Sequence, residues 1–466
     1  MAVVVSLLLY ALSGLLLLKM LYDKYLGRHD LITLRNVALL GLIVFQLTSA
    51  TIPLLTGEHG QYLLARPAQS GLTLLGMSLV FIVVFLWAYR KGFLVARLAQ
   101  RTPTARAYPT GGTLWVIAVV LTVLAVLLRF FVFIPVVGAA ANYVGVSFAA
   151  IACGICGWLW APRLFNPAVA VAAGIIVLLN TANVISGTFG RRTLVAIGGC
   201  LVWGMYYSHW RYLPVREMLV RVVAITAIPV AVLALFTSVR SSKEHERSAG
   251  QHVQAIRYGG NLKTGLLLLL DGQQTGLKTM WIIENVPSSH PYQHMLTVKY
   301  FFLLPIPRMW WPEKPLPLST KIAEMARLTG VDRSRLKVGP GILGHARAEG
   351  GWYTLLLYPL LGALLLRYFD ELVQRNPANP LVVLPVGSAL GQVVGLARGE
   401  TSVFAMGFVI GVLGAYASMI LLAKALELVG WGRLEEQPPE DEEAGDAPDE
   451  EQHEPAGGSP RPADAA

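Results

Sequence analysis

Residues 113–134 read TLWVIAVVLTVLAVLLRFFVFI, apolar throughout except for Thr113, Thr122 and Arg129. A helix needs about 20 apolar residues to cross the hydrocarbon of a bilayer, so this run is long enough to span. Working outward in both directions gives ten more runs of the same kind. The eleven candidates are residues 2–21, 37–55, 72–89, 113–134, 142–160, 168–186, 193–209, 219–237, 351–368, 380–397 and 402–426. The first has no basic stretch ahead of it, and Lys19 and Lys24 lie at its far end, so it reads as a span rather than a cleaved signal peptide. Composition agrees. Of 466 residues 55% are hydrophobic and 14% charged, where a soluble domain carries about 25% charged. That excludes a water-soluble enzyme, a disordered chain, collagen and a disulfide scaffold. The expected fold is an all-α polytopic membrane protein of about eleven transmembrane helices. Its parts are a bundle of about eight over 1–237, a large extramembrane loop over 238–350, three more helices over 351–428, and an acidic tail over 434–466.

Charge orients it. The net charge of +10 hides an asymmetry, because residues 434–466 hold 12 of the 28 Asp and Glu and one basic residue, Arg461. The rest has 37 basic against 16 acidic side chains. Short loops that face the cytoplasm are rich in Lys and Arg. One side of the eleven-span arrangement receives 13 of them: Lys24, Arg28, Arg35, Arg90, Lys91, Arg97, Arg101, Arg106, Arg163, Arg211, Arg216, Arg367 and Arg375. The other receives Arg66, Arg191, Arg192 and Arg398. The first side is expected to be cytoplasmic, with the C-terminus there and the N-terminus and the 238–350 loop outside. The tail is rich in Pro and Glu and is expected to be a disordered, solvated cytoplasmic segment, with partner recruitment as its alternative role. Cys153 and Cys156 form a CxxC within VSFAAIACGICGWLW. Thiolates are unfavourable in hydrocarbon, so these read as small packing residues. Without a folded basic soluble domain, nucleic acid is a poor partner.

The loop holds 15 Lys and Arg, eight Asp and Glu, and five of the nine His. GLLLLL (265–270) and YFFLL (300–304) are too short to span but suit re-entrant or interfacial helices, so the loop is expected to roof a cavity in the bundle. In LPIPRMWWPEKPLP (304–317) five prolines forbid a helix and set Arg308, Glu313 and Lys314 beside Trp310 and Trp311. Paired Trp suits a membrane interface, and Arg offers phosphate a planar fork. Further cations fall on the outer side: Arg129 near the outer end of its span, Arg191 and Arg192 in SGTFGRR, Arg240 after the eighth span, and Arg398 with Glu400 in LARGETS. A charge at membrane depth is a functional hypothesis by default. Taken singly, each also reads as a snorkelling or ion-paired residue. In HARAEGG, His345 and Glu349 stand four apart and share a face if helical; either suits a general base. His290 and His294 lack a third ligand, so no metal is expected. No nucleotide-binding loop, HExxH or GxSxG motif is present, and no internal repeat supports an inverted-repeat transporter.

The run IPRMWWPEKP (306–315), followed by GPGILGHARAEGGWYTLLLYPLLGALLLRYFD (339–370), resembles the signature regions of bacterial oligosaccharide repeat-unit polymerases, the Wzy-type O-antigen and exopolysaccharide polymerases. The resemblance covers the layout of residues 180–425 and is sharp over 304–317 and 339–365. It implies a GT-C-like glycosyltransferase of the bacterial cytoplasmic membrane, multi-pass, needing no cofactor or metal. Such an enzyme joins polyprenyl-diphosphate-linked oligosaccharides at the outer face by inverting transfer, alongside a chain-length regulator and a flippase. On this resemblance His345 or Glu349 would activate the acceptor hydroxyl. Arg129, Arg191, Arg192, Arg240, Arg308, Lys314 and Arg398 would hold the diphosphate, with Glu313, Arg333, Arg347 and Glu400 in support. Arg333 and Gly344 match a spacing described for family members, an Arg and then a Gly after ten residues, though in a glycine-rich chain that match is weak. A ligase moving a glycan once to a lipid or protein acceptor, or a glycolipid transporter or flippase, are the alternatives.

Overall fold

The computed structural model describes residues 1–58, 62–102, 104, 107–134, 137–185, 191–239, 249–271, 274–326, 338–428 and 434–436. The chain begins with α1 (Ala2–Tyr25) and α2 (Leu34–Leu42), which continues through a π-helical stretch (Ile43–Thr48) into α3 (Ser49–Thr56). There follow α4 (Pro67–Lys91), α5 (Phe93–Arg101), α6 (Gly111–Phe130), α7 (Val137–Trp160), α8 (Pro167–Ile185), α9 (Arg191–Ser208) and α10 (Val215–Ser238). The loop holds α11 (Ala249–Gly259), α12 (Leu262–Leu270), α13 (Thr275–Asn285), α14 (Leu296–Leu303), α15 (Leu318–Met325) and α16 (Gly341–Gly350). The last helices are α17 (Trp352–Arg375), α18 (Pro380–Gly387), α19 (Leu390–Leu396) and α20 (Thr401–Leu428). Among the described residues the only strands form a three-residue antiparallel ladder, β1 (Ala107–Pro109) on β2 (Leu434–Glu436). The rest of the acidic tail lies outside the described residues.

Among the described residues eight helices are long and apolar enough to cross a bilayer: Ala2–Tyr25, Leu34–Thr56, Pro67–Lys91, Gly111–Phe130, Ala140–Arg163, Pro167–Ile185, Val215–Ser238 and Thr401–Leu422. The other three expected spans are helical but fall short of that measure, each for a visible reason. Helix α9 has 18 residues and starts on two arginines. Helix α17 carries Arg367, Asp370, Glu371 and Arg375. The third is broken into α18 and α19. Thr33, Thr110, Asn261 and Asn379 cap α2, α6, α12 and α18 through their side-chain oxygens, satisfying amides that have no partner within the helix.

Close backbone packing builds the interior around α7. A Cβ at Gly157 would sit 2.2 Å from the Leu201 carbonyl oxygen, and one at Gly204 would sit 2.1 Å from that of Gly154. These glycines let α7 and α9 touch backbone to backbone, as small residues do between membrane helices. Cys153, Cys156 and Cys200 are unpaired and fully buried at this contact, in keeping with their reading as packing residues.

Polar contacts gather at two ends. At one, the buried Asp370 accepts from the amides of Leu34 (2.8 Å) and Arg35 (3.0 Å) and from the Tyr89 hydroxyl (2.8 Å). A carboxylate thereby meets the positive start of α2 and ties α17 to α2 and α4. Around it Arg35 pairs with Asp23 (3.2 Å), and Lys24 and Arg211 share Asp30. Lys24, Arg35, Arg211, Arg367 and Arg375, five of the 13 basic residues assigned to one side, do lie together. Asp370→Ala would leave three buried donors without an acceptor at about 1–3 kcal/mol each. It is expected to lower the thermal unfolding midpoint in detergent by several degrees, an effect absent from Glu371→Ala measured alongside.

Candidate functional site: a buried histidine between two carboxylates

The other end is organised by α16. Sequence places GHARAEGG at an outer surface, but the structure buries it, with His345 and Glu349 both at 0% exposure. Small residues permit this. Gly341 has φ +67°, and a Cβ there would lie 2.0 Å from the Ala397 carbonyl oxygen, so the Pro340–Gly341 turn presses on the loop between α19 and α20. Gln46, in the π-helical stretch, clamps the same junction. Its amide donates to the carbonyls of Pro340 (2.8 Å) and Ala397 (2.9 Å), and its oxygen accepts from Thr279 (3.0 Å).

His345 and Glu349 lie one turn apart on α16. Thr297, at the start of α14, stands between them: its hydroxyl is 2.5 Å from His345 Nδ1 and donates to Glu349 Oε1. Glu349 also accepts the Thr297 amide on both oxygens at 3.0 Å, and the Tyr358 hydroxyl. Glu400 approaches from the α19–α20 turn, its Oε1 3.9 Å from His345 Nδ1. Its oxygens accept the Ser319 amide (2.7 Å) and the Ser402 hydroxyl (2.8 Å). Asp370, Glu349 and Glu400 thus share one device: each buried carboxylate meets the N-terminal amides of a helix from a distant part of the chain, α2, α14 and α15 respectively.

The hydrogen-bond pattern assigns a tautomer. The Thr297 proton goes to the Glu349 carboxylate, which only accepts, so Nδ1 of His345 carries a proton toward Thr297. That leaves Nε2, which is buried and makes no well-formed hydrogen bond, with the Gly399 backbone near the ring. Burial alone would depress the His345 imidazole; the carboxylates of Glu400 and Glu349, with the Gly399 backbone, outweigh it and hold the ring above its ordinary range.

The Pro-rich loop braces itself. Arg308 donates to the carbonyls of Lys314 (3.0 Å) and Pro315 (3.2 Å), and the buried Lys314 ammonium donates to those of Leu304 (3.2 Å) and Ile306 (2.8 Å). Lys314 also lies over the Tyr300 ring at 5.2 Å, and burial with Arg308 nearby pulls it below its ordinary range. In a segment short of N–H donors, both cations satisfy backbone carbonyls, Lys314 from a buried position and Arg308 with its side chain exposed. Glu313, Trp310 and Trp311 are exposed.

Arg398 and Arg192 are half-buried. Arg398 lies over Phe45 (5.6 Å) and Arg192 over Phe404 (5.4 Å), a ring that also lies against Gly399. Arg129 donates to the Asn183 carbonyl (3.4 Å) between α6 and α8. Arg347 reaches the Ile283 carbonyl at 3.5 Å, and its Nε is buried without a partner. Arg240, Arg333 and the Arg191 side chain lie outside the described residues. The structure therefore joins His345, Glu349 and Glu400; Arg398 stands two residues before Glu400 in the same turn, and Arg192 lies over Phe404, which packs on Gly399. Among the described residues no group of three His, Cys, Asp or Glu is placed to hold a metal ion.

The chain matches no protein-family model, no curated protein and no solved structure. It is a multi-pass, all-helical membrane protein. Thr297, Tyr358 and Gln46 were not singled out in the sequence. Gln46 had a signal, an amide inside an apolar run, since polar groups at membrane depth must find partners. Thr297 and Tyr358 had none, because their importance comes from α14 and α17 folding back on α16.

Proposed function

We propose that this chain is a membrane glycosyltransferase that polymerises polyprenyl-diphosphate-linked oligosaccharides. The observation that carries the reading is the buried His345, aligned by two carboxylates and a threonine, with its Nε2 making no well-formed hydrogen bond. The resemblance of IPRMWWPEKP and the following GPGILGHARAEGG to repeat-unit polymerases supplies the substrate class. In the proposed reaction the acceptor hydroxyl gives its proton to Nε2 of His345, and its oxygen bonds to the donor's anomeric carbon with inversion. The bond from that carbon to the diphosphate breaks, and the leaving diphosphate gains charge that Arg398 and Arg192 stabilise. Glu349 and Glu400 hold the ring and stabilise its protonated form, the role of a carboxylate behind a catalytic histidine. Helices α9, α17 and α18–α19 cross between the two polar ends on this reading. Helix α17 has 24 residues and is about 36 Å long, enough for the hydrocarbon. The His345 end then faces outward and the Asp370 end inward.

The test uses purified protein in liposomes, fed lipid-linked oligosaccharide from a strain lacking this gene, with products resolved on a gel. The expected product is a ladder spaced by one repeat unit. A single added increment would replace polymerisation with one-step ligation, and oligosaccharide delivered unmodified to the opposite leaflet would overturn the enzymatic reading.

A further inference from the structure

We infer that α5 is an in-plane docking surface for anionic phospholipid. Helix α4, long and apolar enough to cross a bilayer, ends at Lys91, and α5 begins at Phe93 after the single residue Gly92. Gly92 makes the break: a Cβ there would stand 3.2 Å from the Ala88 carbonyl and 3.3 Å from Leu364, so the turn hugs α17. Ala99 (2% exposed) is buried, yet three large apolar side chains face outward, Phe93 at 62%, Leu94 at 66% and Leu98 at 59% exposure. Leu94 and Leu98 are four apart and share a face.

Beside this stripe stand Arg97 and Arg101, with Arg90 and Lys91 in the last turn of α4, all four exposed. Arg97 lies over the Phe93 ring at 5.5 Å. None of the four forms an ion pair with a carboxylate among the described residues; Glu371 on α17 pairs with Arg367 and Arg375. Leucines adjoining cations at the end of a span are the pattern of an interfacial helix, the apolar face among acyl chains and the basic residues at phosphate level.

A second anionic occupant exists in the chain. The ladder pairs Leu434–Glu436, at the start of the acidic segment, with Ala107–Pro109, which follow α5 in the sequence. The exposed Phe93, Leu94 and Leu98 favour lipid, since a segment rich in Glu and Pro offers them nothing apolar to bury against.

The test places nitroxide labels singly at Leu94→Cys, Leu98→Cys and, on the exposed polar side, Gln100→Cys. The full chain is reconstituted in nanodiscs of phosphatidylcholine with and without phosphatidylglycerol. Relaxation by oxygen over relaxation by an aqueous nickel complex is expected to be several-fold higher at 94 and 98 than at 100. The difference should grow with the anionic lipid and lose that growth in Arg97→Gln/Arg101→Gln. Labels at 94 and 98 as open to nickel as the one at 100 in anionic nanodiscs would overturn the proposal. So would labels shielded equally in both lipids but exposed when the chain is shortened after residue 436, which would assign the surface to the tail.

Discussion

His345→Gln should reduce ladder formation by about 10²–10⁴-fold at unchanged protein level, the range over which a positioned base acts. Glutamine fills much of the imidazole's volume, and its amide can still meet Thr297, so α16 should stay packed. What it lacks is a group that takes up a proton. His345 is fully buried, its Nδ1 is committed to Thr297, and its Nε2 makes no well-formed hydrogen bond. The comparison is initial ladder rate against the quantity of folded protein recovered by size exclusion. Equal rates for the two proteins would remove His345 from the chemistry. Thr297→Val should lower the rate less, because it keeps the ring and removes only the hydroxyl that orients it.

Gly341→Ala carries the second large effect, on the fold. The residue has φ +67°, and the added methyl would lie 2.0 Å from the Ala397 carbonyl oxygen and 2.6 Å from Gln46 Nε2. Backbone strain of this kind costs about 1–3 kcal/mol, and the methyl cannot be relieved by a rotamer change because its neighbour is backbone. The expected loss is about 3 kcal/mol or more, read as a clear fall in thermal midpoint in detergent. The control is Gly362→Ala, a helical position with nothing within 4 Å of the added Cβ, expected to be neutral to slightly stabilising. Similar midpoints for the two variants would mean that the contact between the Pro340–Gly341 turn and Ala397 does not hold the site together.

Much of the architecture was legible because hydrocarbon imposes one requirement, a long apolar helix, and eight segments meet it without ambiguity. The three that do not are those whose polar residues belong to tertiary contacts. Arg192 meets Phe404, Asp370 caps α2, and Asn379 starts a helix that breaks at Ser388. Hydropathy sees these as interruptions. The pairing of His345 with Glu349 followed from their spacing along one helix. Their burial did not follow, since residues 341–351 look polar enough for a surface. Only the glycines and alanines, which admit Pro340, Thr279 and the Ala397 turn to close contact, explain why they lie inside. The loop cations were the least legible: Arg308 and Lys314 stand beside five prolines, and the carbonyls those prolines leave unpaired are what they satisfy.

The pH dependence of the ladder rate, for the native chain and Glu400→Gln, tests the proton-accepting role of His345 most directly. The carboxylates hold the imidazole above its ordinary value of 6.5. A base in that state is protonated at low pH and becomes available as pH rises through the raised value. The same linkage makes the histidine's contribution to stability complete below about pH 6.5 and lost above the raised value. The rate is expected to climb with pH along a limb lying above the usual imidazole range, and the limb to shift to lower pH in Glu400→Gln, where one of the raising charges is gone. A limb at the same pH in both proteins, or a rate indifferent to pH across this range, would contradict that role.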